Sequence, residues 1–196
     1  ALGFMWFGGE TGLVRFNGHG YETFLKQPDD STSLSENFVW DLWLDRQKVL
    51  WIATENGLNR FNADTENFTR FLHPVSPTSS NQFSSIAEDL EGNLWLGNAR
   101  GLDRLSPALE KLEPQPELTR IDVRKVLAVD ADILWLGTHD RGLARFNTRS
   151  RELQWFRHDP SAADSLPNND VRALTLDGRG NLWVGTFGGG IARLDA

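Results

Sequence analysis

A motif of tryptophan, glycine and arginine occurs five times in this chain, and this repetition constrains the fold more than any other feature. In each copy a glycine follows the tryptophan by six or seven positions, and an arginine follows that glycine by three. The copies contain Trp6, Trp51, Trp95, Trp135 and Trp183 with Arg15, Arg60, Arg104, Arg145 and Arg193. Because successive tryptophans are 45, 44, 40 and 48 residues apart, the sequence predicts a fold built from similar units.

Each unit predicts four short antiparallel strands. In residues 93–97, NLWLG, the leucines alternate with the tryptophan as they do on the two faces of a strand. The glycine of each copy is expected in the turn between two strands, where a positive φ is needed. The glycine-rich residues 177–195 continue into a strand pattern, whereas a phosphate-binding loop requires a following helix.

Four strands repeated at this period are typical of the blades of a β-propeller. We therefore predict an all-β fold in which residues 1–196 form one partial propeller of about five blades. The expected blades are residues 1–27, 34–73, 81–113, 120–158 and 168–196. Each repeated tryptophan is expected to be buried between its own sheet and the adjoining one. Each repeated arginine is expected to pair with a carboxylate or carbonyl of its own blade.

Composition excludes several classes of function. The net charge of −7 argues against a nucleic-acid surface and against docking on anionic lipid. The sequence contains no apolar run long enough to span a membrane, so no direct membrane insertion is expected. Cysteine is absent, and the four histidines lack the spacing of zinc ligands. We predict no metal, no cofactor and no catalytic residue in this chain.

Function is expected where the units differ, on the first strand of each blade, which lines the central channel of a propeller. The units differ at two successive positions of this strand. The first lies three residues after the asparagine that begins the strand, and the second is the residue that follows it. The residues predicted to bind a ligand are Trp40, Asp41, Ser84, Arg124, Lys125 and Arg172. An indole beside hydrogen-bonding groups suits a sugar, although Trp40 is equally compatible with packing between blades.

The pattern D-x-x-G-N-L-W-x-G-T-x-x-G-G-[LI]-x-R-[FL]-[ND] at Asp177–Asp195 resembles the two-component regulator propeller repeat. Departures are Ala53 in place of glycine and Asn98 in place of threonine. The resemblance implies a periplasmic sensor region of a bacterial inner-membrane receptor, with a histidine kinase or a diguanylate cyclase as output. It also implies a small-molecule or oligosaccharide ligand and contacts with other domains of the same receptor.

The resemblance further implies a ring of seven blades, so we expect this chain to be a fragment of such a ring. Exposed blade faces favour association. The fragment is therefore expected either to self-associate through its cut faces or to close as an irregular five-bladed ring. Two other functions stay open from the sequence: an enzyme of the lyase type, which also occurs on propellers, and a protein-interaction scaffold.

Overall fold

The computed structural model describes residues 3–74, 80–108 and 110–195. In these residues the strands form five antiparallel sheets, here called blades 1 to 5. Blade 1 comprises β1 (Met5–Gly9), β2 (Gly12–Phe16) and β3 (Tyr21–Phe24). Blade 2 comprises β4 (Val39–Leu44), β5 (Leu50–Thr54), β6 (Gly57–Asn62) and β7 (Asn67–Phe71). Blade 3 comprises β8 (Phe83–Glu88), β9 (Leu94–Asn98), β10 (Gly101–Leu105) and β11 (Leu112–Pro114).

Blade 4 comprises β12 (Val123–Ala128), β13 (Ile133–Thr138), β14 (Leu143–Asn147) and β15 (Leu153–Phe156). Blade 5 comprises β16 (Val171–Leu176), β17 (Leu182–Thr186) and β18 (Gly190–Leu194). A single turn of 3-10 helix, Pro116–Leu118, lies between blades 3 and 4. Among the described residues, no helix is long and apolar enough to cross a membrane. The predicted all-β fold is confirmed.

Strands follow one another in space in the order of the sequence within every blade. The first strands of blades 2 to 5, which are β4, β8, β12 and β16, contact one another in succession. They therefore surround a common space, which we call the central channel, and the later strands of each blade lie progressively farther from it.

The repeated tryptophan of each of blades 1 to 4 faces the next blade along the chain. Trp51 packs with Phe83 of blade 3, and Trp135 packs with Val171 of blade 5. Trp95 of blade 3 is likewise buried in a core cluster with residues of blade 4. Trp6 is only partly buried against blade 2, and the prediction that all five indoles are buried is wrong for Trp183, which is 38% exposed. Blade 5 is followed by no further sheet in the described residues, so this indole lacks a neighbouring surface.

Each repeated tryptophan is the cross-strand partner of the repeated arginine of its own blade, as in the pairs of Trp95 with Arg104 and Trp135 with Arg145. Directly opposed residues point to the same face of a sheet, so each arginine lies beside the indole of its own blade. The regular interval between tryptophan and arginine therefore reflects the same pairing register in the hairpin of every blade.

The carboxylate partners of the arginines follow the prediction only in part. Arg15, Arg104 and Arg193 pair with acids of their own blades, namely Glu22, Glu113 and Asp195, and Arg15 also pairs with Glu66 of blade 2 at 2.7 Å. Arg60 pairs instead with Glu110, which follows β10 in the next blade, at 2.7 Å. Arg145 has no carboxylate partner among the described residues. The shared role of the five arginines is therefore packing beside the indole, and the ion pair varies with the local sequence.

Glycines serve two purposes in the repeat. The turn glycines Gly12, Gly57, Gly101, Gly142 and Gly190 all have positive φ, between 85° and 156°, which confirms their predicted place in hairpin turns. The glycine at the end of the second strand allows close approach of the next blade. A Cβ at Gly137 would lie 2.7 Å from Cγ1 of Val171.

Candidate functional site

A β-bulge occurs at the same place in the first strand of every blade from 2 to 5. The pairing register shifts between Val39 and Asp41, and equivalent shifts occur in β8, β12 and β16. The extra residues are Trp40, Ser84, Arg124 and Arg172. A bulge breaks the alternation of a strand and redirects one side chain. Here the residue before each bulge remains buried between blades, and the bulged residue faces the central channel.

The six residues predicted to bind a ligand line one cavity of about 210 Å³ in the central channel. They are Trp40 and Asp41 from β4, Ser84 from β8, Arg124 and Lys125 from β12, and Arg172 from β16. The structure therefore brings all of these predicted residues together, and their role as ligand contacts stays a prediction.

Asparagines that precede the bulged strands anchor them to the preceding blade. Oδ1 of Asn81 accepts the backbone N–H of His73 at 2.7 Å, and its carbonyl accepts the N–H of Gly57 at 2.7 Å. Asn169 makes the same two bonds, to the N–H groups of His158 and Gly142. The beginning of each of these strands is thus fixed three residues before its bulged residue.

Blade 2 contributes an aromatic and acidic wall to the cavity. Trp40 is 39% exposed and lies beside Phe38, with 4.6 Å between ring centroids. Its indole N–H donates to Oε2 of Glu55 at 2.7 Å. The side-chain amide of Gln82 donates to Oε1 of the same carboxylate at 2.9 Å, so the acceptor of the indole N–H is itself held in place.

Blades 4 and 5 contribute a basic wall. Nη2 of Arg124 donates to Oδ2 of Asp122 at 2.6 Å. Arg172 binds Asp170 through two parallel hydrogen bonds of 2.6 and 2.8 Å. The Arg172 guanidinium also lies over the ring of Phe187, at 5.4 Å from its centroid. These contacts orient both guanidinium groups before any ligand arrives.

The protonation of this wall follows from the same contacts. Burial by itself would raise the pKa of Asp170, but the hydrogen bonds and charge of Arg172, with His139 nearby, hold that pKa below its ordinary value. The hydrogen bonds that Arg172 donates to Asp170 in turn raise the pKa of Arg172. Asp170 is therefore ionised, and Arg172 cationic, at neutral pH.

Between the two walls, Asp41 joins three blades. Its Oδ2 accepts a hydrogen bond from Nζ of Lys125 at 3.1 Å and another from the backbone N–H of Ile86 at 3.0 Å. The hydroxyl of Ser84 donates to the carbonyl of Val123 at 2.8 Å. These bonds tie neighbouring first strands together across the channel wall.

Residues at the channel mouth were missed by the sequence analysis. Three residues, Glu55, His139 and Phe187, each follow the last residue of a second strand. Each donates its backbone N–H to the carbonyl of the residue that lies two positions before the bulged residue of the same blade. The signal that identifies them is variation directly after an otherwise repeated second strand: LWIAT-E, LWLGN-A, LWLGT-H and LWVGT-F.

Sheets whose first strands surround a common channel, and whose indoles pack on the next sheet, define the β-propeller class. The family model described as "Two component regulator propeller" matches residues 165–188. The resemblance found in the sequence is thereby confirmed, and the chain carries the two-component regulator propeller repeat.

Three proteins illustrate what the whole chain is similar to. Histidine kinase P4 of Formosa agariphila is 29% identical over 202 residues, which cover 94% of this chain and 14% of that protein. The extracellular domain of BT3049 from B. thetaiotaomicron, described as a hybrid two component system, is 29% identical with a TM-score of 0.84, covering 99% of this chain and 27% of that one. The extracellular domain of BT4673 from the same organism has a TM-score of 0.87 at 22% identity, covering 98% and 26%, and shares the fold.

Proposed function

We propose that this chain is a non-catalytic, ligand-sensing propeller region on the extracytoplasmic side of a bacterial membrane receptor. In this proposal the region lies in the periplasm, and the receptor is anchored in the inner membrane. The similarity to extracellular domains of two-component systems supports the sensory role. The chain spans 14% of the kinase it resembles, so the rest of such a receptor supplies the output.

The observation that carries the proposal is the convergence of the bulged residues on one cavity. Four blades place the bulged residue of the first strand on the same channel, and two of them add the next residue, Asp41 and Lys125. The residue before each bulge is buried and is used for packing. A fold that needed only to pack would have no reason to redirect Trp40, Arg124 and Arg172 in this way. Bulges that re-aim side chains are common beside binding sites.

The proposed ligand class is an oligosaccharide. The exposed face of Trp40 offers an apolar surface for one side of a sugar ring, and Glu55, Asp41 and Ser84 offer hydrogen-bond acceptors for hydroxyl groups. A ligand of this kind signals by favouring one arrangement of the receptor over another. Couplings of about 1–3 kcal/mol are typical of such switches.

Two-component signalling is the favoured output, because the relative that matches along the chain is a histidine kinase. A receptor with a diguanylate cyclase, which signals through cyclic-di-GMP, remains the alternative. Both outputs use the same propeller, so the ligand site is tested without reference to either.

Calorimetric titration of the chain with a panel of short oligosaccharides tests the proposal. We expect at least one to bind, and Trp40→Ala to weaken that binding about tenfold, equivalent to about 1.4 kcal/mol. Tyr21→Ala is the matched control, because Tyr21 is an exposed aromatic residue on the outer strand of blade 1. Absence of binding across the panel, or equal losses in the two variants, would overturn the proposal.

A further inference from the structure

We propose that the cavity selects oligosaccharides that carry an acidic group, a carboxylate or a sulfate, and that Arg124, Lys125 and Arg172 bind this group. The inference rests on the function proposed above and adds the charge of the ligand. Three of the six side chains that line the cavity are cationic, although the chain as a whole has a net charge of −7. Positive charge is therefore concentrated in the channel against the overall balance of the protein.

Two of the three cations are more exposed than their carboxylate partners, whereas Arg124 and Asp122 are about equally exposed, at 24% and 22%. The Arg172 side chain is 42% exposed and its partner Asp170 is 13% exposed. The Lys125 side chain is 32% exposed and its partner Asp41 is 21% exposed. A ligand in the channel therefore meets the Arg172 guanidinium before Asp170, and it meets Lys125 together with Asp41, which also lines the cavity.

Hydrogen-bonding capacity remains on each of these cations. Arg172 binds Asp170 through Nε and Nη2, and Arg124 binds Asp122 through Nη2. Within the described part of the chain, neither Nη1 has a hydrogen-bond partner, and Nε of Arg124 is buried without an acceptor. Guanidinium groups with free N–H donors and a fixed plane are suited to carboxylate and sulfate oxygens.

Opposite this basic wall stands the indole of Trp40. The two walls together match a ligand that has an acidic group on one side and the face of a sugar ring on the other. The cavity of about 210 Å³ is smaller than the roughly 300–1,000 Å³ typical of sites for drug-sized ligands. It therefore fits one terminal sugar residue, with the rest of the oligosaccharide outside the channel.

Matched pairs of sugars test this selectivity by calorimetry. One pair is trigalacturonate and its carboxyl-reduced counterpart, and a second is a sulfated disaccharide and its desulfated counterpart. We expect the acidic member of at least one pair to bind tenfold or more tightly than the neutral member, and this preference to decrease as sodium chloride is raised. Inorganic sulfate alone is expected to compete weakly.

Variants assign the preference to the channel. Arg172→Gln and Arg124→Gln are expected to reduce the ratio of acidic to neutral affinity at least fivefold, whereas Arg172→Lys retains part of it. Arg149→Gln removes the same charge from an exposed side chain near Asp132, outside the cavity, and is expected to leave the ratio unchanged. The salt dependence of the unmodified chain provides an independent measurement if a glutamine variant fails to fold.

The outcomes separate the two proposals. Binding of neutral and acidic sugars with equal affinity overturns the acidic selectivity and leaves the sensing function standing. Absence of binding by every sugar overturns both. Competition by inorganic sulfate as strong as that of the sulfated disaccharide shows an adventitious ion site, and likewise overturns the inference.

Discussion

Removal of one buried carboxylate is expected to destabilise the protein by an amount that the structure allows us to work out. Oδ2 of Asp89 accepts hydrogen bonds from the indole N–H of Trp95 at 2.8 Å and from the amide of Asn93 at 2.9 Å. All three side chains are buried. Oδ1 of Asp89 also accepts the backbone N–H of Asn93 at 2.9 Å. Asp89→Ala therefore removes the acceptor of three buried donors, and each costs about 1.3 kcal/mol, near the lower end of the usual range of roughly 1–3 kcal/mol. The expected loss in the free energy of unfolding is about 4 kcal/mol.

Urea unfolding followed by tryptophan fluorescence measures this loss. With a slope of about 2 kcal/mol per molar urea, the midpoint is expected to fall by about 2 M. The chain provides its own control at Asp177, which binds Asn181 and Trp183 in the same way at the exposed face of blade 5. Water can replace the carboxylate there, so Asp177→Ala should shift the midpoint by well under half as much.

Two results would refute the reasoning. Equal shifts in the two variants would mean that burial between blades does not decide the strength of this bond. A shift below about 0.5 M for Asp89→Ala would mean that the hydrogen bonds of this carboxylate contribute little to the free energy of unfolding.

Two further predictions concern blade 5 and its exposed face. Ile191 is 72% exposed, whereas the equivalent leucines of the other blades are buried. We therefore expect the protein to self-associate as its concentration rises, and Ile191→Glu to reduce this association. Equal sedimentation of the two proteins would contradict the prediction. Hydrogen bonds from Asn181 and then Trp183 lower the pKa of Asp177 from 3.8 to about 2. Because the folded-state pKa is depressed, the ionised group stabilises the fold above pH 4 and this contribution is lost as pH falls through about 2. The stability advantage of the unmodified chain over Asp177→Asn, measured in urea, should shrink over that interval, and a constant advantage would count against it.

Features that depend on one repeat unit alone could be predicted from the sequence. The turn glycines follow from local backbone sterics, and the regular interval between Trp95 and Arg104 reflects a register within one hairpin. The positions of Trp40 and Arg172 on the channel followed from counting along the first strand, because three of the four strands, those of blades 2, 3 and 5, are preceded by a similar asparagine.

Features that depend on contacts between units were not accessible. The pairing of Arg60 with Glu110 requires a loop of the next blade to return to the interface. The indole bond from Trp95 to Asp89 depends on the path of the turn between β8 and β9. The exposure of Trp183 depends on whether a sheet lies beside it. None of these is encoded in the alternation of apolar and polar residues.

The bulge in each first strand has a consequence for how such a propeller diversifies. It assigns recognition and stability to different residues, since Arg172 points away from the interface that its neighbour Val171 fills. A substitution at one bulged position can alter the surface offered to a ligand without creating a void between sheets. New specificities can therefore arise by single changes, one blade at a time, on a scaffold whose interior stays as it was.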